Sequence, residues 1–360
     1  MFRLTFLGTS SGVPTRERNV SGLAVECIHK DENAKNHPWI LIDCGEGTQQ
    51  QIIKSHLSTG NLRAIFITHI HGDHCYGLAG LLASLGMQSR TTPLMVVAPK
   101  AIAKLLDTFS LLTELHFNYP IEFMAIEDLI NQEHKIINDV MNETVDFLIC
   151  FNHEHEIHVT IHELSHRSSS YGFSITQIIK SNKLNIEKLN NNHIEKSKWK
   201  DILYANEKNK SIMIDNHNII PQDYINSQTK QLKIVIAGDN DTPKLLTKAV
   251  KNAKAMVHEA TYTHEIMQKI MTRGDEAFNP QHSSAKMVAQ FAQSVDLPIL
   301  LLTHFSPRYA SFDNASSHKP NMGHIKAEVS EYYQGQLILA KDFLSVLIDE
   351  NGYQKTNLSS

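Results

Sequence analysis

Leu62-Arg63-Ala64-Ile65-Phe66-Ile67-Thr68 runs without a break into His69-Ile70-His71-Gly72-Asp73-His74. An apolar, β-rich run that ends in four metal-capable side chains reads as a buried strand whose C-terminal loop faces an ion, with Gly72 letting that loop curl. Zinc takes imidazole nitrogen and carboxylate oxygen at about 2.0–2.2 Å, and a catalytic site keeps one position for water. Four protein ligands are too many for one open zinc and too few for two closed ones. The spacing therefore points to a two-metal site completed by distant residues. Incidental histidines on a surface loop are a poor account of so dense a run.

Outward from this stretch, residues 3–8, 22–27 and 39–44 read as short strands split by Gly, Pro, Ser and Asn turns. Thr48 is expected to cap a helix over 49–56. Helices are expected over 75–85, 101–115 and 280–294, and a buried strand over 94–98. Residues 119–164 are strand-like but acidic, and Ile157, Val159 and Ile161 alternate with His158, Thr160 and His162 as in a half-buried strand. Strands return at 233–237, 255–259 and 297–303, each followed by a loop. Strands with helices in both halves of the chain predict an α/β fold of two sheets packed face to face with helices outside, residues 1–360 forming a single domain. Residues 179–232 are polar and Asn-rich, and read as an inserted arm.

The chain has 360 residues, 41% hydrophobic and 20% charged, so it can bury a sizeable core. No run reaches the roughly 18 apolar residues of a membrane span. The opening MFRLTFLGTSSG alternates like a strand and has no signal-like apolar region, so a cytoplasmic protein with no membrane partner is expected. Cys27, Cys44, Cys75 and Cys150 are far apart, without a CxxC pair, and read as reduced thiols. The net charge of −4 gives no global signal for nucleic acid, whereas 21 histidines supply ligands and proton carriers whose positions decide their use.

The HxHxDH run after a strand, behind a strand ending in Leu41-Ile42-Asp43-Cys44-Gly45-Glu46-Gly47-Thr48, resembles the metallo-β-lactamase superfamily of αβ/βα hydrolases. The segments FLGTSSGVPT, LIDCGEGTQQQ, THIHGDHCYGL, HEAT, QHSSA and THFSPRY follow in order from Phe6 to Tyr309 and resemble the ribonuclease Z family, the tRNA 3′-processing endonucleases. The resemblance implies a metallo-β-lactamase sandwich and a zinc-dependent hydrolase, an endonuclease that cuts precursor tRNA 3′ of the discriminator nucleotide and leaves a 3′-hydroxyl. It also implies a homodimer in which one subunit's arm serves the other's site.

Position by position, the resemblance implies two Zn2+ per subunit. His69, His71 and His166 would hold the first, and Asp73, His74 and His304 the second. Asp239 would bridge both, and Asp43 would orient a histidine ligand from behind. Other divalent ions can occupy such donors. Spacing does not choose among His153, His155, His158, His162 and His166; the choice of His166 rests on the Ser-Tyr-Gly-aromatic run that follows it. Asp73 would accept the proton of the attacking water, and His282 with Glu259 would protonate the leaving 3′-oxygen.

Several segments depart from the family pattern. Gly238-Asp239-Asn240 stands where relatives read GDT, and Ser170-Tyr171-Gly172-Phe173-Ser174 where they read SYGYR. The arm has neither Gly nor Pro between 190 and 209, where bacterial relatives carry a Gly-Pro motif that grips the tRNA elbow. Ile220-Pro221-Gln222-Asp223 still resembles the Pro-Glu-Asp that follows the arm. Residues 180–210 hold eight Lys against four Asp or Glu, so Lys198, Trp199 and Lys200 are candidate contacts to phosphate and ribose. A solvated excursion kept soluble by its lysines is the plainer account of the same residues. Arg16, Arg18 and Arg308 are candidate phosphate contacts beside the metals.

Two other functions fit the same residues in part. One is a hydrolase of small phosphodiesters or sulfate esters on this fold, because fold does not set substrate. The other is a non-catalytic RNA-binding module, which the filled set of seven metal positions disfavours.

Overall fold

The computed structural model describes residues 1–28, 37–130, 145–152, 155–208, 210–215, 217–272 and 279–357. In the first half of the chain, β1 (Phe2–Gly8), β2 (Gly22–Cys27), β3 (Trp39–Ile42), β4 (Leu62–Phe66), β5 (Leu94–Ala98) and β6 (Ile121–Ala125) lie side by side. The pairs β1–β2 and β2–β3 are antiparallel; β3 to β6 run parallel. The second sheet takes β7 (Val145–Asn152), β8 (His155–Leu164) and β9 (Ser170–Leu184). The hairpin of β10 (Ile212–Ile214) and β11 (His217–Ile219) stands apart from it. Next come β12 (Ile225–Ile236), β13 (Ala255–Glu259), β14 (Ile299–Thr303) and β15 (Gln336–Leu339), giving the order β15-β14-β13-β12-β9-β8-β7. Finally β16 (Leu344–Ile348) returns to pair with β1, and β17 (Tyr353–Asn357) closes that edge.

Period-2 alternation sends Phe2, Leu4 and Phe6 of β1 and Ile157, Val159 and Ile161 of β8 into one core between the sheets. Phe66 and Phe173 meet across it edge to face, with ring centroids 5.0 Å apart. The strands next to helices are apolar on both faces, since parallel strands are covered twice. Leu41, Ile65 and Val96 point outward under Leu78, Leu81, Leu82 and Leu85 of the helix Leu78–Met87. On the other side Val235, Met256 and Leu300 lie under Val288, Ala289 and Ala292 of the helix Ala285–Ser294. Each such side chain contributes roughly 1.5–3 kcal/mol when removed from water.

The helix Thr48–Ile53 begins at Thr48 rather than being capped by it. Gly47 takes the cap position at φ 80, a left-handed conformation that suits glycine. The expected helices over 101–115 and 280–294 are found as Lys100–Thr113 and Ala285–Ser294. The acidic stretch 119–164 includes residues 131–144, which lie outside the described set.

The arm is a folded unit with exposed lysines. Its stem is the antiparallel ribbon of β9 and β12, paired from Phe173↔Ile236 out to Leu184↔Ile225. At its end Leu189, Ile194, Ile202, Ile214 and Ile219 form a small core of their own, with Trp199 and Tyr224 packed against it. Trp199 is half-buried there and its indole N–H donates to the Ile194 carbonyl at 3.1 Å. Lys198 and Lys200 flank it and are exposed. The Lys208 ammonium lies 4.2 Å from the ring centroid of Tyr204, which is largely exposed.

Candidate metal centre

The parallel strands β4, β12, β13 and β14 end at one edge of the sandwich, and each delivers a side chain at or just past its end. These are His69 and the helix-borne Asp73 and His74 after β4, Asp239 after β12, Glu259 at the end of β13, and His304 after β14. His166 lies in the turn between β8 and β9. Ligand sites in α/β sheets gather at such carboxyl ends, where loops are free to differ. Backbone strain gathers here as well. Asp43 (φ 61), His304 (φ 57) and Gln281 (φ 54) are non-glycine residues held in the left-handed region, which persists where surrounding contacts over-determine it. Gly72 also leaves room for the exposed Tyr76 ring, which a Cβ there would meet at 2.2 Å unless the ring swung aside.

Two groups of donors face two points. In the first, Nδ1 of His71 lies 3.0 Å from Nε2 of His69 and 3.1 Å from Nε2 of His166. In the second, Nε2 of His304 lies 3.1 Å from Nε2 of His74 and 3.2 Å from Oδ2 of Asp73. Asp239 stands between them with one oxygen for each. Its Oδ2 is 3.6 Å from His69 and 3.8 Å from His166, and its Oδ1 is 3.5 Å from His74 and 3.4 Å from His304. Ligands of a tetrahedral zinc stand about 3.3 Å apart. Asp239 is 3% exposed, and its imidazole neighbours are beyond good hydrogen-bond range. A buried carboxylate so placed calls for cations, so the donor set fits two ions. The same donors appear as clusters of His69, His71, His166 and Asp239 and of Asp73, His74 and His304.

The hydrogen bonds behind the ligands are consistent with this reading. A metal-binding imidazole usually engages its second nitrogen with an outer partner. His69 Nδ1 lies 3.0 Å from the Thr68 hydroxyl, and His74 Nδ1 2.7 Å from Oδ2 of Asp43. His166 Nδ1 donates to the Gln281 carbonyl at 2.7 Å, and His304 Nδ1 lies 3.1 Å from the Thr261 hydroxyl. Asp43 also accepts from the Thr68 amide at 2.8 Å, which ties it to the strand end. The Gly12 amide donates to Oδ2 of Asp73 at 2.7 Å.

Electrostatics divides the two groups. Burial and neighbouring histidines push the pKa of His69 well down, and burial also lowers those of His71 and His166, leaving the neutral imidazoles a metal requires. At His74 burial pulls the same way, but Asp239, Asp43 and Asp73 together outweigh it and raise the pKa to about 10. A proton there supplies the positive charge that these carboxylates demand of an ion.

Beside these donors, His282 Nδ1 lies 2.9 Å from Oε2 of Glu259. Burial lowers the pKa of His282, yet Glu259 and Asp239 raise it to about 9. Glu259, 2% exposed, accepts from the Asn240 amide at 2.8 Å and from the Thr261 hydroxyl. Asn240 itself holds the site's loops together. Its side chain reaches His258 at 3.1 Å and accepts from the Thr242 amide at 3.1 Å, and its carbonyl accepts from Ser283 at 2.6 Å.

The remaining candidates scatter. His162 is buried in β8 against Ser174 at 2.7 Å and His158 is half-buried, both away from the donors. His153 and the side chain of His155 lie outside the described residues. Arg16 is exposed in the loop after β1. Arg18, expected at the phosphates, is 5% exposed and donates to the Tyr309 carbonyl at 2.8 Å, so its charge is turned inward. Arg308 is exposed, with its guanidinium 5.1 Å from the Tyr262 ring centroid. Asn240 stands out in the sequence only as a departure from the family's GDT, and residue patterns did not single out Thr68, Thr261 or the Gly12 amide. A hydroxyl residue directly after an apolar strand end was the one available signal, present at Thr68.

A family model described as "Anti-Pycsar protein Apyc1" matches residues 2–198. The ribonuclease Z of Marinobacter nauticus is 39% identical over 341 residues, covering 94% of each chain. Among solved structures, the short form of human tRNase Z superposes with a TM-score of 0.57 at 24% identity, covering 96% of this chain and 99% of that one. The metallo-β-lactamase-fold protein YhfI of Bacillus subtilis superposes with a TM-score of 0.56 at 14% identity, covering 96% and 98%. The two structural likenesses establish the fold.

Proposed function

The chain belongs to the ribonuclease Z family and, over residues 2–198, to the family described as anti-Pycsar protein Apyc1, and from that membership we propose how its residues remove the 3′ trailer of precursor tRNA. It is a tRNA 3′-processing endoribonuclease of metallo-β-lactamase fold. The observation that carries the residue-level reading is Asp239, whose two oxygens face two separate groups of imidazole and carboxylate donors.

His69, His71 and His166 would hold one zinc ion and Asp73, His74 and His304 a second, with Asp239 shared. Two such ions supply a nucleophilic water at neutral pH and offset the charge of the phosphodiester. Asp73, its Oδ2 steadied by the Gly12 amide, would accept the proton of the attacking water. On the other side of the phosphate, His282 gives its Nε2 proton to the departing 3′-oxygen while Glu259 holds Nδ1. The carboxylate keeps the imidazole charged at neutral pH, as a general acid must be. Asp43 holds Nδ1 of His74, which would leave Nε2 for the ion.

The arm is the proposed handle on tRNA. Lys198 and Lys200 present charge beside the small core that fixes Trp199, which suits backbone phosphates without base reading. A homodimer and a cytoplasmic setting complete the proposal. Cys27, Cys44 and Cys75 are free, buried thiols, and no helix among the described residues is long and apolar enough to cross a membrane.

The test is cleavage of an end-labelled precursor tRNA carrying a 3′ trailer, with and without chelator. One chelator-sensitive cut next to the discriminator nucleotide, absent in His71→Ala, is the expected outcome. Hydrolysis confined to bis-p-nitrophenyl phosphate would leave the metal site standing and remove the tRNA assignment.

A further inference from the structure

A second carboxylate lies at the far end of the loop that touches Asp73. Asp342 follows β15 and precedes Phe343, which is held at φ 64. An aromatic residue in the left-handed region is strained by about 1–2 kcal/mol, and such strain persists only where other contacts enforce it. The Phe343 amide donates to the Phe6 carbonyl at 2.7 Å, which locks the turn onto β1.

Asp342 collects donors from both ends of the loop 9–19. Its Oδ1 accepts from the Thr9 hydroxyl at 2.8 Å, and its Oδ2 from the Asn19 amide at 2.7 Å. Gln51 adds a third bond, donating to Oδ2 at 2.9 Å while also donating to the Leu7 carbonyl at 2.8 Å. The same neck is closed by the Thr9 and Ser10 amides, which donate to the Asn19 carbonyl at 2.9 and 2.8 Å.

Beyond this neck the loop reaches the reacting centre twice. The Ser11 amide donates to the Phe305 carbonyl at 3.0 Å, next to His304, and the Gly12 amide donates to Oδ2 of Asp73 at 2.7 Å. Gly12 sits at φ +74 with open space around the place of a Cβ, so the amide's aim depends on the loop's own anchorage. Residues 12–17 are exposed. The Ser10 hydroxyl donates to the Val13 carbonyl at 2.7 Å, the Thr15 amide to the Arg18 carbonyl at 2.8 Å, and Arg18 to the Tyr309 carbonyl at 2.8 Å, so the tip keeps its own turn while the neck sets where it points.

We propose that Asp342 is a positioning residue for phosphodiester hydrolysis, which clamps the neck of the loop 9–19 so that the Gly12 amide holds Asp73 in place. The inference rests on the reading in which Asp73 serves the metals and the water. A carboxylate suits this role because two acceptor oxygens can take several converging N–H and O–H donors at once.

The test is a double-mutant cycle of Asp342→Asn and Gly12→Ala. The asparagine keeps the shape and exchanges one acceptor for a donor among the converging donors. The alanine disturbs the left-handed φ without filling occupied space. Kinetics are read on precursor tRNA and on bis-p-nitrophenyl phosphate, with metal content and thermal unfolding of each variant alongside. Each single variant is expected to lower kcat about tenfold on both substrates, with KM moved less than about twofold. The double variant is expected to be no slower than the slower single, because both act through one contact. Multiplying losses, or unchanged kcat in Asp342→Asn, would overturn the clamp. If Asp342→Asn does not fold, Thr9→Val removes one leg of the clamp and enters the same cycle. Failure of the wild-type protein to cut tRNA leaves the cycle readable on the small ester. Failure on both substrates removes the hydrolase reading itself, and this inference with it.

Discussion

Oδ2 of Asp43 lies 2.7 Å from Nδ1 of His74, and the same carboxylate accepts from both the amide and the hydroxyl of Thr68. The aim of one metal donor is thus set by the end of strand β4. Asp43→Ala is expected to weaken the second donor group more, where Asp43 meets His74 directly, than the first, which it reaches only through the Thr68 hydroxyl beside His69. Outer partners of this kind are worth about 10–100-fold in metal affinity or activity. Stepwise dialysis against a chelator, followed by metal analysis, should show one ion leaving earlier than in wild type. Parallel loss of both ions, or retention of both, would count against the assignment.

Glu259 and His282 should act as one unit on the leaving group. Glu259→Gln is expected to slow cleavage of precursor tRNA by about 10²–10⁴, the usual contribution of general acid catalysis. Bis-p-nitrophenyl phosphate, whose leaving group departs without a proton, should be affected far less. Equal losses on the two substrates would mean that the pair supports the fold of the site instead.

Lys198→Ala with Lys200→Ala should raise KM for precursor tRNA and leave the small ester untouched. If both lysines meet phosphates, the slope of log affinity against log salt falls by about 2. Trp199→Ala has a different consequence, since its ring packs on the arm's small core. It should loosen the arm, seen as faster amide exchange over the helix Trp199–Glu207.

Asp342 should leave a mark on stability as a function of pH. Burial pushes its pKa up to about 6, against donors from Asn19 and Thr9 and the charge of Arg18 that lower it. An acid with a folded pKa above its unfolded value holds its proton longer in the native state. Its contribution is therefore most favourable in acid, and declines as pH rises through about 4 to 6, by an amount of order 3 kcal/mol. Asp342→Asn should lose that slope. The measurement is the difference in unfolding free energy between the two proteins at pH 4 and pH 7. A constant difference would contradict the shift.

How much was legible beforehand follows from where each signal resides. His69, His71, Asp73 and His74 are read directly, because a strand, its end and four donors occupy consecutive residues. His166 is not separable from His162 by residue type or spacing, only by the Ser-Tyr-Gly-aromatic run that follows it. The structure distinguishes them because β8 stops at Leu164, leaving His162 in the ladder against Ser174 and His166 beyond it. The partners from Gly12 and Gln281 are main-chain groups, so no residue type announces them. Arg18 misleads for a related reason. A long side chain in a polar loop looks solvated, but its loop lies against the Tyr309 carbonyl and Phe305 ring, and it folds inward. Trp199 likewise reads as a stacking platform until the arm's own core is seen.

The stem of the arm carries one more implication. β9 starts at Ser170, whose hydroxyl donates to the Asp239 carbonyl at 2.8 Å, and ends at Leu184, at the base of the knob. Its twelve-residue partner β12 spans about 40 Å at the usual rise of a strand. Knob and metal donors of one chain therefore hang from a single continuous ribbon, whose length sets how far from the sandwich Lys198 and Lys200 are presented. Removing two residue pairs would preserve each strand's inside and outside faces and shorten that reach.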